Sequence, residues 1–224
     1  MTAGVDGSPQ SRGAMAELCA LYWYPLYSFI RRNGHDPDRA QDLTQGFFSR
    51  LLERNIVHTA DRQRGRFRAY LLGAVQHFLA DERDREHALK RGGGHITISR
   101  ELETAEQRYC LEPVHDLTPE RLFDRKWAAT VIGLAMAELR RRFEADGKAE
   151  HFERMKRFLV SDPAEATQAQ AAAELGMTPG ALRVGLHRMR RRYRELLRQQ
   201  IAETVSTPNQ VDEEIRDLFA AMRQ

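Results

Sequence analysis

The chain has 224 residues, of which 30% are charged and 42% are hydrophobic, and its mean hydropathy is -0.60. These values indicate a soluble, helix-rich protein with room for one large domain or two small ones. The first residues lack an apolar signal core and the longest apolar run, 131–137, is too short for a membrane span, so we expect a cytoplasmic protein without a membrane partner.

The net charge of +3 is unevenly distributed along the chain. Residues 1–100 carry 15 Lys and Arg against 11 Asp and Glu, and residues 167–200 carry seven against two. The remaining residues carry 13 against 19. Two basic segments with an acidic part between them indicate two nucleic-acid contacts joined by a connector that does not bind.

Residues 14–90 are predicted to form a first domain built from helices. Apolar residues recur every three or four positions over 14–32, which is the pattern of an amphipathic helix. A second helix opens at Pro37, and a third runs from 67 to about 90. The basic stretch 55–66 between them is predicted to be a loop.

Residues 91–117 are predicted to be a flexible linker. The linker opens with three consecutive glycines at 92–94, but no Lys-Ser/Thr pair follows them as in a phosphate-binding loop. We therefore interpret the glycines as a flexible joint and not as a nucleotide site.

Residues 118–200 are predicted to form a second domain that ends in a helix-turn-helix. Over 167–198 the sequence predicts two helices joined by a tight turn. Gly176 is suited to the positive φ that ends a helix, and Thr178 is suited to cap the next helix with Pro179 at its first position.

The second helix of this pair carries seven arginines, which predicts contact with DNA. Its N-terminal residues would reach base edges in the major groove, while later arginines reach phosphates. An arginine face exposed to solvent on a purely structural helix hairpin is the alternative. The predicted DNA-contacting residues are Thr178, Gly180, Arg183, Val184, His187, Arg188 and Arg191.

The C-terminal segment, 201–224, is predicted to be an amphipathic helical extension. Thr207 and Gln210 form a capping-box pattern around Pro208. Its apolar stripe is predicted to be Val211, Ile215, Leu218 and Met222. Such a short acidic helix requires a partner surface, which is either its own domain or a functional surface that it covers.

Nothing in the sequence predicts catalysis. The two cysteines, Cys19 and Cys110, and the eight histidines lack the spacing of a metal or redox site. No nucleophile elbow or Walker-type loop occurs. We therefore predict a protein that is not an enzyme and that has no cofactor and no metal site.

Three segments, in this order, resemble conserved regions of bacterial sigma factors of the small extracytoplasmic-function (ECF) type. They are DPDRAQDLTQGFFSRLLER, GRFRAYLLGAVQHFLADERDRE and AAAELGMTPGALRVGLHRMRRR. The resemblance covers roughly 14–90 and 118–200. It implies an all-α fold of two small helical domains joined by a flexible linker, the C-terminal one a helix-turn-helix, with core RNA polymerase and promoter DNA as partners.

The resemblance assigns a role to each segment. The third would read the minus-thirty-five promoter element. The first would bind core polymerase through Asp38, Gln41, Asp42, Gln45 and Ser49. The second, with the loop before it, would open and read the minus-ten element, which requires cations and planar side chains that hold unstacked bases. The residues assigned to that element are Asn55, Arg62, Arg64, Arg66, Arg68, Tyr70, Gln76 and His77.

The sequence departs from the family pattern at three positions. Gln41 and Gly46 stand where family members commonly have glutamate, and Gly185 stands where a basic residue is frequent. The missing acids suggest that phosphorylation of Thr44 or Thr59 restores negative charge, as in a kinase-associated subgroup of the family. A Ser/Thr kinase or an anti-sigma protein is therefore a candidate regulator.

A different function is compatible with the helix-turn-helix alone. A transcriptional repressor or activator would act as a dimer on a palindromic duplex site, without binding polymerase. The arginine-rich loop and the helix from 67 to 90 favour the sigma factor, because a ligand-sensing domain does not require them.

Overall fold

All secondary structure in the described part of the chain is helical, as the sequence predicts. The computed structural model describes residues 9–53, 66–89, 100–110, 117–159, 165–205 and 207–223. Its helices are α1 (Pro9–Arg32), α2 (Pro37–Glu53), α3 (Phe67–Leu89), α4 (Arg100–Cys110), α5 (Pro119–Ala145), α6 (Ala149–Met155, continued by a 3-10 turn at Lys156–Phe158), α7 (Glu165–Glu174), α8 (Pro179–Ala202) and α9 (Pro208–Met222). Within these ranges, no helix has both the length and the apolar character that crossing a bilayer requires.

The chain divides into two compact units. The first unit comprises Met1–Thr130 and Thr204–Gln224, and the second comprises Val131–Glu203. The division falls inside α5, whereas the sequence predicted a linker between domains at 91–117. The C-terminal extension, predicted as a separate segment at 201–224, groups largely with the first unit.

The junction between α1 and α2 follows the local signals in the sequence. Gly34 adopts a φ of +92°, which glycine reaches without strain, and this residue ends α1. The Asp36 carboxylate then accepts a hydrogen bond from the backbone N–H of Arg39 at 2.9 Å and caps α2. Pro37 takes the first helical position. The predicted end of one helix and start of the next are therefore confirmed.

Aromatic rings make several contacts between helices in the core of the first unit. Phe29 of α1 meets Phe123 of α5 edge-on, with the ring centres 6.4 Å apart. Phe47 of α2 meets Phe78 of α3 at 5.6 Å, and Trp127 of α5 is fully buried. Each side chain of this kind contributes about 1.5–3 kcal/mol when it is fully buried. These rings therefore join α1 to the first part of α5 and α2 to α3.

A helix lies within the stretch that the sequence predicted to be a flexible linker. The Glu106 carboxylate of α4 accepts hydrogen bonds from the Arg31 guanidinium of α1 at 2.8 and 3.0 Å and from the Tyr27 hydroxyl at 2.5 Å. Partial burial acts to raise the pKa of Glu106, but these donors outweigh it and hold the pKa below its usual range. The prediction of a connector is therefore corrected at Arg100–Cys110, because partners 75 and 79 residues away order this segment.

One ammonium group is buried in the first unit. Lys126 of α5 is 6% exposed, and its Nζ lies 5.6 Å from the centre of the Tyr24 ring. Burial, together with the positive charge of Arg108, lowers the pKa of Lys126 from 10.5 to about 8. The folded protein therefore holds a proton on this amine less tightly than the unfolded chain does.

Replacing Lys126 by methionine is expected to stabilise the first unit at pH 7 and to lose most of that advantage by pH 10. Below the pKa that Lys126 has in the folded state, the wild-type protein bears the whole free-energy cost of keeping this buried amine charged. Between about 8 and 10.5 the unfolded state binds a proton that the folded state lacks, so wild-type stability rises with pH. The advantage of the variant should shrink by on the order of 2 kcal/mol from pH 7 to pH 10. Urea unfolding of both proteins across this range measures the effect, and a constant difference would contradict it.

Gly185 of α8 lies beside a methionine side chain of α6 in the second unit. Met155 of α6 is buried, and a Cβ placed on Gly185 of α8 would lie 3.2 Å from the Met155 methyl carbon. This distance is shorter than comfortable van der Waals contact, so a larger residue would force the helices or the methionine to move. The family frequently has a basic residue at this position, whereas Gly185 packs against the Met155 side chain.

Candidate nucleic-acid interface

The residues that join α7 to α8 adopt the conformations that the sequence predicts for them. Gly176 has a φ of +62°, and the N–H of Met177 donates to the Ala172 carbonyl at 2.8 Å, which closes the end of α7. Thr178 is extended, and its hydroxyl accepts a hydrogen bond from the N–H of Ala181 at 3.2 Å. With Pro179 at the first position of α8, the predicted glycine turn and threonine cap are confirmed.

Helix α8 has a buried apolar face and an exposed basic face. Leu182, Leu186 and Met189 are buried, whereas all seven residues predicted to contact DNA are exposed. Six of these recur at alternating intervals of three and one positions, which places them along one strip of the helix surface. This α8 strip consists of Gly180, Arg183, Val184, His187, Arg188 and Arg191. Thr178 lies at its N-terminal end as the cap.

The arginines of α8 differ in what they contact. Arg190 donates from Nε and Nη2 to the Phe158 carbonyl at 3.2 and 2.7 Å, so its role is structural. Arg191 pairs with Glu195 at 2.9 Å, with both side chains more than half exposed. Such a pair contributes at most about 1 kcal/mol and is screened by salt. A polyanion can therefore displace Glu195 from Arg191 at little cost.

The predicted polymerase-binding residues of α2 divide into an exposed set and a buried residue. Asp42, Gln45 and Ser49 are exposed, and Asp38 is partly exposed. Gln41 is 3% exposed, because it lies on the side of α2 that faces the core. The structure therefore removes Gln41 from the surface that a partner protein could contact.

Gly46, the other α2 position where the family commonly has glutamate, lies close to α3. A Cβ at this position would stand 3.4 Å from the Cζ atom of Phe78. That distance is ordinary van der Waals contact, so the Phe78 ring leaves space for a Cβ, and packing does not account for the glycine.

The hypothesis of phosphorylation meets a steric objection at Thr44. This residue is fully buried, and its hydroxyl donates to the Ala40 carbonyl at 2.6 Å within α2. A kinase requires an accessible hydroxyl, and a buried phosphate would carry a large desolvation cost. Thr44 is therefore excluded as a target in the folded protein. Thr59, the other candidate, lies outside the described residues.

The residues assigned to the minus-ten element fall into three groups. Tyr70, Gln76 and His77 are exposed on α3, with Tyr70 42% exposed. Arg66 and Arg68, at the start of α3, are engaged in ion pairs within the first unit. The third group lies outside the described residues and consists of Asn55, Arg62 and Arg64.

A cavity of about 370 Å³ lies between α2 and α3, and Tyr70 and His77 are among the residues that line it. Aromatic rings and small side chains form its wall, and the Arg50 guanidinium lies 5.7 Å from the centre of the Phe78 ring. Its lining residues are Phe47, Arg50, Leu51, Ala69, Tyr70, Gly73, Ala74, His77 and Phe78. A volume of this size falls within the range of about 300–1,000 Å³ that is typical of small-molecule clefts.

The sequence predicted Tyr70 and His77 in this region but missed Arg50. Arg50 lies on the polar side of α2, and its guanidinium pairs with Asp81 of α3 at 2.7 Å. The spacing of small residues on α3, at Ala69 and Gly73, is the signal that could have indicated an opening beside α2.

Arg66 and Arg68 are bound by carboxylates of α9. The Glu214 carboxylate is 1% exposed and accepts from Arg68 Nε at 2.9 Å and from Nη2 at 3.2 Å. Glu213 lies 3.1 Å from Arg66 Nη2, and Asp217 pairs with both arginines. Asp124 of α5 also pairs with Arg68, whose guanidinium lies 4.5 Å from the centre of the Trp127 ring. We call these contacts the Arg66–Arg68 cluster.

The electrostatics of the cluster follow from its burial. Burial acts to lower the pKa of Arg68, but the hydrogen bonds that Arg68 donates to Glu214 and the nearby carboxylate charges outweigh burial and raise this pKa above its ordinary value. Burial and the charge of Glu214 raise the pKa of the Tyr22 hydroxyl as well. Both arginines therefore stay charged, and the neighbouring tyrosine stays neutral, at every pH of physiological interest.

The buried face of α9 differs from the predicted apolar stripe. Val211 and Leu218 are buried as predicted, but Met222 is 41% exposed, and Glu214 and Ala221 are buried in addition. The helix is therefore oriented by its acids as much as by its apolar side chains. The predicted cap is present, because Thr207 N–H donates to the Gln210 side-chain oxygen at 3.2 Å.

Among the described side chains, no three His, Cys, Asp or Glu residues come together as a metal-binding group. Comparisons of the chain with protein-family models, with curated proteins and with solved structures find no match.

Proposed function

We propose that the protein is a cytoplasmic sigma factor of the extracytoplasmic-function type, which binds core RNA polymerase and directs it to promoters. The observation that carries this proposal is the α8 strip, where the predicted base-reading residues share one exposed face behind a capped helix start. A helix that docks in a major groove through its N-terminal half requires this arrangement. The mechanism is recognition alone, without covalent chemistry by the chain.

The first unit supports a second DNA contact with different chemistry. Promoter opening requires that single-stranded bases be held out of the stack by planar side chains beside cations. Tyr70 and His77 are exposed at the cavity between α2 and α3, and Arg50 lies in its wall. We assign this cavity, together with the basic segment before α3, to the minus-ten element.

The exposed polar face of α2 is the proposed polymerase contact. Asp42, Gln45 and Ser49 lie on that face, and Asp38 lies near its start. Asp38 and Asp42 give it negative charge, which suits a basic surface on core polymerase.

In vitro transcription tests the proposal directly. The purified full chain is added to core polymerase on a library of genomic fragments, and the 5′ ends of the transcripts are mapped. We expect start sites that share two upstream elements and that disappear when the protein is omitted. Transcription no different from that of core polymerase alone would contradict the proposal.

The same preparation distinguishes the competing function. A dimeric regulator would elute as a dimer and would bind a palindromic duplex tightly without polymerase. The proposed sigma factor should instead co-elute with core polymerase and bind free duplex DNA weakly. A stable dimer that ignores polymerase would favour the regulator.

A further inference from the structure

We propose that α9 is a built-in competitor of promoter DNA. In the docked position it occupies the arginines at the start of α3, and it must leave before DNA can bind there. This inference rests on the proposed function, because that function supplies the role of DNA at these arginines. It adds a regulatory device that the sequence resemblance does not include.

The first argument is that the donors of both arginines are already occupied. The side chains of Arg66 and Arg68 are only 27% and 11% exposed. Three carboxylates of α9, from Glu213, Glu214 and Asp217, bind the two guanidinium groups. A phosphate group would require the same N–H donors, so α9 and a DNA backbone exclude each other at this position.

The second argument is that α9 carries a net negative charge, as a nucleic-acid strand does. The helix carries four acids against one basic residue. A carboxylate binds a guanidinium through two parallel N–H···O bonds, as a phosphate does. The acids on α9 therefore offer these arginines the same chemistry as a DNA strand, at the high local concentration of a covalently attached segment.

The third argument is that α9 can dissociate from Arg66 and Arg68. Glu214 is almost fully buried at the centre of the contact between α9 and the two arginines, whereas Glu213 and Asp217 are 49% and 44% exposed. Exposed pairs contribute at most about 1 kcal/mol each and weaken in salt. The fully buried apolar residues of α9 are few, namely Val211, Leu218 and Ala221, and Ile215 is partly buried beside them. A strand with several phosphates can therefore displace the helix.

The test neutralises the exposed acids and leaves the buried pair in place. The full-length double variant Glu213→Gln/Asp217→Asn retains Glu214 and the apolar contacts, so the first unit should fold as before. The matched control is Glu17→Gln/Glu150→Gln, which removes two exposed acids that are not members of the cluster and changes the net charge equally. Circular dichroism and urea unfolding of both variants verify that the fold is retained.

Binding is measured by fluorescence anisotropy with a labelled single-stranded DNA oligonucleotide of mixed sequence, at several salt concentrations. We expect the α9 variant to bind about fivefold or more tightly than the control variant, because DNA no longer competes with those two acids. The slope of log affinity against log salt should steepen by about 0.7 for each phosphate newly bound. Equal affinities and equal slopes for the two variants would overturn the inference.

Transcription with core polymerase separates this inference from the proposed function. If the wild-type protein supports promoter-specific transcription but the two variants bind single-stranded DNA equally, the competitor is refuted and the sigma factor stands. If the α9 variant binds DNA more tightly but no form supports transcription, the competition between α9 and DNA stands, and the sigma factor, with the role of promoter DNA, is refuted.

Discussion

Replacing Trp127 by alanine is expected to lower the free energy of unfolding of the first unit by about 3–5 kcal/mol. Trp127 is fully buried in α5, and the Arg68 guanidinium lies 4.5 Å from the centre of its ring. Removing the indole leaves a cavity in the buried core of the first unit, and it removes the cation–π contact with Arg68. The loss is a large fraction of the about 5–15 kcal/mol that stabilises a typical domain.

The second tryptophan provides a matched control. Trp23 is partly exposed and stacks on Tyr27, with the ring centres 5.3 Å apart. Trp23→Ala should therefore cost clearly less than the substitution at 127, by the difference in buried area. The chain has two tryptophans, and both belong to the first unit, so fluorescence of the remaining one reports urea unfolding of that unit in each variant. Equal losses in the two variants would show that Trp127 is not the centre of this core.

Local chemistry explains the parts of the fold that the sequence predicts well. Asp36 before α2 and Thr178 before α8 act within three residues of their own position. Gly176 likewise adopts the positive φ that its place in the turn requires. Because capping and turn geometry depend on neighbouring residues alone, the sequence contains the whole signal.

The features that the sequence missed depend on distant partners. Glu106 orders α4 through Arg31, 75 residues earlier, and Glu214 is buried against Arg68, 146 residues earlier. Neither glutamate breaks a polar pattern locally, so periodicity assigns both to a solvent-exposed face. A buried ion pair becomes visible only when both partners are in place.

The candidate site shows the same division. The exposed face of α8 follows from helical periodicity around Leu182 and Leu186, and the sequence predicted it in full. The sequence did not predict the cavity beside Tyr70, because its wall combines side chains of two helices, including Arg50 of α2. The burial of Thr44 was missed for a related reason, since a hydroxyl can bond to the preceding turn and face the core.

Converting Arg183 and Arg188 together to alanine is expected to abolish most use of the upstream promoter element. Loss of one base contact costs about 1–3 kcal/mol, so the double variant should bind a duplex with this element at least about thirtyfold more weakly in complex with core polymerase. Both residues are exposed on the α8 strip, and Leu182, Leu186 and Met189 keep their buried contacts, so the fold should be unaffected.

The control for this variant removes the same charge from the same unit at another place. Arg140 and Arg141 of α5 are 57% and 70% exposed, and each pairs with a glutamate of its own helix. If the arginines of α8 act only through net charge, the Arg140→Ala/Arg141→Ala protein will lose as much promoter binding as the α8 variant. If they read the promoter, the control will weaken binding slightly at all sequences, whereas the α8 variant will lose discrimination between the mapped element and a scrambled duplex. Retained discrimination in the α8 variant would remove Arg183 and Arg188 from the recognition surface, because no electrostatic effect on affinity alone can supply a preference for sequence.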